Sequence, residues 1–220
     1  RLRPNQRAKI RRETIGFVFQ SANLLPRLTV IDNVALPLVY RGMLPGRRVK
    51  RAEELLERVG LADKKYFYPH QLSGGQRQRV MIAMACVHEP PLILADEPTT
   101  ALDVSVQSQI IALIRRLCRD RGASALLITH DMGVIAETCD AVAVMYAGRL
   151  IEIGPVKDVI QRPAHPYTQG LMASIPDLFT DQAHLNQIDG AMPRLQAIPK
   201  GCAFHPRCPQ AMERCHTDRP

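Results

Sequence analysis

At 220 residues, with 46% hydrophobic and 23% charged residues, the chain can bury one substantial core, or a core plus an appendage, and is not a disordered sequence. Its longest apolar run, Val80 to Val87, is far too short to cross a bilayer, and no signal-peptide pattern opens it. The net charge of +8 is concentrated in residues 1–65, which hold 15 Lys and Arg against 6 Asp and Glu; with only 5% aromatics and no reading helix, a solvated basic face near anionic lipid headgroups fits better than nucleic-acid binding.

The polar, basic stretch Arg1 to Arg12 reads as a surface loop or short helix. An extended apolar run follows, Ile15-Gly16-Phe17-Val18-Phe19, and ends at Gln20. A glutamine leaving a buried strand can offer its amide oxygen to Mg²⁺ or to a phosphate-bound water, although a polar strand-end residue is the blander reading. From Ser21 to Tyr68 the pattern turns helical, with breaks expected at Pro26, Pro37 and Pro45. Ala52, Leu55, Leu56 and Val59 share a helical face, and Gly60 suits a helix stop.

Leu72-Ser73-Gly74-Gly75-Gln76 opens a helix expected over Gln76 to Val87. Two glycines after a serine leave backbone N–H groups unshielded at a helix N-terminus, an arrangement that attracts phosphate and also describes an ordinary serine cap. Leu92 to Ala95, bounded by Pro90-Pro91 and Pro98, suits a buried parallel strand with Asp96 and Glu97 at its carboxyl end, where open α/β sheets bind ligands. Alternation along an extended chain should turn the two carboxylates apart, leaving Asp96 to Mg²⁺ and Glu97 to an attacking water. Asp103 then precedes an amphipathic helix carrying Val106, Ile110, Leu113, Ile114 and Leu117. Ala125 to Ile128 repeats the strand pattern and leads to Thr129-His130-Asp131. A histidine at a strand end is more often structural than catalytic, but a neighbouring strand end would bring this one near a γ-phosphate. Ala141 to Met145 and Leu150 to Ile153 flank Ala147-Gly148-Arg149 as a hairpin.

Beyond Gly154 prolines break up the chain, which marks an appendage. Cys86, Cys118 and Cys139 fall among apolar positions and read as buried small hydrophobes. Cys202, Cys208 and Cys215 are clustered, and without an export signal a metal site is expected over disulfides. Their gaps are too long and irregular for a zinc ribbon.

Taken in order and spacing, Gln20, Leu72 to Gln76, Leu92 to Glu97, Ala101 to Asp103 and His130 resemble the Q-loop, signature, Walker B, D-loop and switch histidine of ATP-binding-cassette (ABC) ATPases. The resemblance implies an α/β, RecA-like P-loop NTPase core over 1–154, with an inserted helical subdomain at about 22–88, and an irregular C-terminal extension over 155–220. It implies ATP and Mg²⁺ as cofactors, with Glu97, His130 and Gln20 catalytic, Asp96 and Gln20 on the metal, and Asp103 in the D-loop. Ser73, Gly74, Gly75 and Gln76 would close over nucleotide held by a second, head-to-tail ATPase subunit. Further partners implied are transmembrane permease subunits and, indirectly, an extracytoplasmic peptide-binding protein, with the chain peripheral on the cytoplasmic face of the membrane. His165-Pro166-Tyr167-Thr168 and Gly201 to Pro209 are similar to the extension of oligopeptide and dipeptide importer ATPases, and that similarity implies a 4Fe-4S cluster on Cys202, Cys208 and Cys215, with a fourth ligand from downstream or from His205 or His216. Phe17 to Pro26 and on to Gly42 looks more like lipoprotein-release and macrolide-efflux ATPases, so an export function is the alternative. No Gly-x-x-x-x-Gly-Lys-[Ser/Thr] is present, and the phosphate-cradling loop is expected upstream of Arg1, leaving these 220 residues without intrinsic ATPase activity.

Overall fold

The computed structural model describes residues 3–100, 102–174 and 187–220; Arg1, Ala101 and Pro176 lie outside them. The chain divides into two compact units, Arg1–Met132 and Gly133–Pro220.

The first unit is built on a parallel sheet of order β1-β2-β3: β1 (Ile15–Val18), β2 (Leu92–Asp96) and β3 (Ser124–Ile128). The central β2 pairs on both sides, Val18 with Ala95 and Asp96 with Ile128. Between β1 and β2 run α2 (Val30–Val39), α3 (Pro45–Arg58) and α4 (Gly74–Cys86), and α5 (Val104–Arg119) connects β2 to β3. Helix α4 buries Val80, Met81, Ile82, Ala83, Ala85 and Cys86, which lie around most of its circumference, because it packs against α2, α3, α5 and β1. Burial pushes the Cys86 thiol up to about 12 and raises that of Cys118, as expected of inert core cysteines, whereas Cys139 is only half-buried. The basic first segment forms α1 (Pro4–Thr14), which buries none of its residues.

Pro45 begins α3 as a first-turn proline, and Gly60 follows its end at φ +72°. Pro37 departs from expectation: it lies inside α2, in its last turn. A proline there forfeits one backbone hydrogen bond near an end, and burial of Val30, Val34 and Leu38 on the same helix offsets that loss. The loop entering α2 is held by Asn33, which is fully buried: its Nδ2 donates to the carbonyls of Leu25, Leu28 and Thr29 at 3.2, 3.1 and 2.9 Å, and its Oδ1 accepts from the Leu25 N–H at 2.8 Å.

In the second unit, α6 (Met132–Thr138) leads to the antiparallel pair β4 (Ala141–Tyr146) and β5 (Arg149–Pro155), followed by α7 (Val156–Gln161) and α8 (Pro166–Ala173). Ala147 and Gly148, at φ +48° and +74°, make the two-residue hairpin turn. Tyr146, Tyr167 and Phe204 centre a small core, with ring centroids 4.7 to 5.5 Å apart. Arg207 binds around it, donating to the carbonyls of Asp189 and Ile188, both at 2.7 Å, and to the Tyr146 hydroxyl at 3.3 Å.

Two stability predictions follow from these packings. A Cβ on Gly16 would sit 2.3 Å from the backbone carbonyl oxygen of Ala85, so Gly16→Ala should lower unfolding free energy by about 1–3 kcal/mol in denaturant titration. Asn33→Leu removes the side chain that bonds the carbonyls of Leu25, Leu28 and Thr29 and should cost a comparable amount, about 1–3 kcal/mol, with faster proteolysis within residues 21–29.

Candidate active site

The parallel register decides where the polar residues meet. Gln20 and Glu97 each lie two residues beyond the paired Val18 and Ala95, and His130 lies two beyond Ile128, the partner of Asp96. These three side chains, with Asp96, therefore gather at the carboxyl ends of adjacent strands. Glu97 is the meeting point. Its Oε2 accepts from Gln20 Nε2 at 3.1 Å and from Thr100 Oγ1 at 2.8 Å, and its Oε1 lies 3.3 Å from His130 Nδ1.

Glu97 does not continue the strand. At φ +43° it adopts the left-handed conformation, uncommon for a residue with a side chain, while its N–H still bonds the Ile128 carbonyl at 2.9 Å. This turn, rather than the alternation of an extended chain, separates its carboxylate from that of Asp96, which is exposed. The hydrogen bond from Thr100, then that from His130, hold the Glu97 carboxyl below its usual range, because both favour the charged form. His130 is itself held only lightly, with 79% of its side chain exposed. The following residue is tied down: Gln107 Nε2 donates to Asp131 Oδ2 at 2.8 Å.

Ser73 and Gln76 form a reciprocal cap on α4, Ser73 Oγ accepting from the Gln76 N–H at 3.3 Å and Gln76 Oε1 accepting from the Ser73 N–H at 3.0 Å. The ordinary capping role is thus realised at the very residues of the signature. A Cβ on Gly75 would come within 2.6 Å of Val106 Cγ1, so the close approach of α4 to α5 needs a glycine there. Ser73, Gly75, Gln76, Arg79, Val106 and Gln109 line a cavity of about 280 Å³. Asp103 caps α5, its Oδ1 accepting from the Val106 N–H at 2.9 Å. Among the described residues no hydrogen bond joins Ser73 or Gln76 to Gln20, Glu97 or His130; the signature and the strand-end cluster are separate places on one unit.

The strand-end cluster suits MgATP in its chemistry, with an exposed aspartate, a carboxylate held in its charged form, an amide and an exposed imidazole; Mg²⁺ takes one or two side-chain ligands and the rest from phosphates and water, so a group of three protein ligands is not required there. The iron–sulfur expectation does not fare so well. Cys202, Cys208 and Cys215 all belong to the small core of the second unit, yet among the described residues no group of three or more His, Cys, Asp or Glu side chains is arranged to hold a metal. Cys202 instead lies with its Sγ 3.9 Å from His165 Nε2, and Cys215 Sγ accepts from the Met212 N–H at 3.5 Å. His165 Nδ1 accepts from the Tyr167 N–H at 3.0 Å, and Glu152 accepts from the Ala164 and His165 N–H groups at 2.8 and 3.1 Å, so the His165 to Thr168 motif serves to start α8.

Sequence reasoning missed Asn33, Thr100 as the clamp on Glu97, Gln107 and Glu152. Only Thr100 had a local signal, an oxygen three residues after the carboxylate.

Comparison with known families places these findings. The ABC transporter family matches residues 2–100, and the C-terminal region of oligopeptide/dipeptide transporters matches residues 151–215. The oligopeptide transport ATP-binding protein AppD of Bacillus subtilis is 44% identical over 222 residues, covering 98% of this chain and 68% of that protein. OppD of Salmonella typhimurium, also an oligopeptide transport ATP-binding protein, is 43% identical over 217 residues, covering 96% and 65%. The chain spans about two thirds of the length of the relatives it matches. The dimeric bacterial ABC transporter cassette MJ0796 superposes with a TM-score of 0.63 at 40% identity, over 70% of this chain and 68% of that one, and its post-hydrolysis form bound to ADP and Pi gives 0.62 at 39%. With the parallel sheet, the strand-end cluster and the signature helix in agreement, the chain belongs to the ABC transporter family, with a RecA-like ATPase fold and the C-terminal region of oligopeptide/dipeptide transporters.

Proposed function

We propose that this chain is the ATP-hydrolysing subunit of an importer of di- and oligopeptides, peripheral to the cytoplasmic face of the membrane. The observation that carries the reading is the convergence of Gln20, Thr100 and His130 on Glu97, in a chain whose relatives at 43–47% identity are named for peptide transport. Residues 1–154 are assigned to the ATPase and 155–220 to the extension. Among the described residues no helix is long and apolar enough to cross a membrane. In this reading translocation is the work of permease subunits, with a peptide-binding protein delivering cargo. A second ATPase subunit would supply the opposing signature. The export alternative rests on the segment from Phe17 to Gly42 and has no support in the extension. An iron–sulfur cluster is not carried into this reading, because among the described residues no group of three or more His, Cys, Asp or Glu side chains is arranged to hold a metal.

When bound, MgATP supplies the phosphoanhydride bond to be broken. Asp96 and the Gln20 amide oxygen would hold the metal. Glu97, whose carboxyl is held below its usual range by the hydrogen bonds from Thr100 and His130, accepts a hydrogen bond from water and takes its proton at a carboxylate oxygen. Gln20 and His130 fix that carboxylate from either side and can exchange these contacts for nucleotide and water. Ser73 to Gln76 present backbone N–H groups at the α4 N-terminus to the opposing nucleotide.

In the full-length subunit assembled with its permease, Glu97→Gln should retain ATP binding while steady-state hydrolysis falls by about 100-fold or more, since the amide keeps the shape but cannot take a proton. Turnover near that of the parent would remove Glu97 from this role. Thr100→Val withdraws the larger of the two hydrogen bonds that hold Glu97 charged, so the Glu97 carboxyl should rise toward its ordinary value. The base must be ionised to act, and the acid limb of the pH–rate profile should therefore move to higher pH. The same depressed carboxyl makes a stabilising contribution that is present above the unfolded-state value and lost as pH falls through the folded one, so Thr100→Val should also reduce the acid sensitivity of unfolding.

A further inference from the structure

We propose that Gln78 is a positioning residue for Gln20, tying the signature helix to the strand end that reaches Glu97. The inference rests on the proposed ATPase function and adds to it a link between two sites that share no direct contact. Gln78 is only 4% exposed, in a stretch of α4 otherwise buried through Val80, Ile82 and Ala83. An amide so placed is costly unless bonded. Its Nε2 donates to the Phe19 carbonyl at 3.3 Å.

Phe19 lies one residue past Val18, where pairing of β1 with β2 stops, and it immediately precedes Gln20. The Gln78 amide therefore bonds the chain at the point where it leaves the sheet. From there Gln20 reaches Glu97 Oε2 at 3.1 Å. Two residues upstream of Gln78, the Gln76 side chain closes the cap on Ser73. A rotation of α4 that carries the signature toward or away from nucleotide must stretch or carry the Phe19 carbonyl with it. Because the signature serves the opposing subunit's nucleotide and Gln20 its own, the bond makes the state of one site felt at the other.

The experiment uses the full-length subunit in its assembled transporter, with Gln78→Met, Gln78→His, Gln20→Ala and the double variant Gln78→Met/Gln20→Ala. Methionine keeps the volume and loses the donor, whereas histidine keeps a ring N–H at similar reach. Gln78→Met should lower kcat for ATP by about tenfold with KM changed less than about twofold, and Gln78→His should recover most of that loss. In the Gln20→Ala background, Gln78→Met should add no further loss, because it acts through Gln20. Parent-like kcat in Gln78→Met, or a tenfold loss repeated in full on top of an impaired Gln20→Ala, would overturn the proposal alone. Full activity in Gln20→Ala would overturn the role given to Gln20 and this proposal together. Should Gln78→Met fail to assemble, Gln78→Asn, which shortens the side chain and withdraws the donor, is read in the same way.

Discussion

The parallel pairing of β2 with β1 on one side and β3 on the other is the constraint from which the site follows. In a parallel sheet the strands run the same way, so their carboxyl ends fall at one edge, and whatever follows each strand is delivered to the same place. Three segments far apart in the chain thus bring Gln20, Glu97 and His130 within hydrogen-bond reach. The left-handed conformation of Glu97 then turns its carboxylate out of the strand into that cluster, and backbone strain at such a position is tolerable because the N–H of the same residue stays bonded to Ile128.

The helices between β1 and β2 depend on this sheet as much as they cover it. Gly16 lets β1 approach the end of α4 so closely that no side chain fits, and Gly75 does the same between α4 and α5. Helix α4 is consequently held at its two ends by close glycine contacts, Gly75 against the Val106 side chain and Gly16 against the Ala85 carbonyl, and along its length by buried apolar side chains. A helix so constrained presents its N-terminal N–H groups as one fixed feature, which suits a group that must meet a nucleotide held elsewhere.

The extension has a different economy. Its order comes from a few aromatic rings and from charged or polar side chains that reach the backbone: Arg207 on Asp189 and Ile188, Arg149 on Gly201, Glu152 on the start of α8. Small irregular structures bury little apolar area, and hydrogen bonds from charged groups are stronger than neutral ones, so such bonds matter to this unit. The cysteines are part of this packing. They lie in or against the small core around Phe204, and among the described residues no group of three or more His, Cys, Asp or Glu side chains is arranged to hold a metal.

Local chemistry was legible without a structure wherever a few neighbouring residues decide it. Apolar runs ending in Gln20, Glu97 and His130, the helical spacing of Ala52 to Val59, the hairpin at Ala147-Gly148 and the cap at Ser73 all depend on periodicity or turn geometry within several residues. The motif order carried the family, and with it the parallel sheet. The tertiary structure alone decided the rest: that Pro37 stays inside a helix, that Asn33 holds a loop, that Thr100 donates to the Glu97 carboxylate, and that the three nearby cysteines pack into a small aromatic core. Partners such as Gln78 and Phe19, 59 residues apart, or Gln20 and Glu97, 77 apart, meet only after helices and strands have packed. A side-chain hydrogen bond needs its two atoms within about 3 Å, and no rule confined to neighbouring residues can supply that distance.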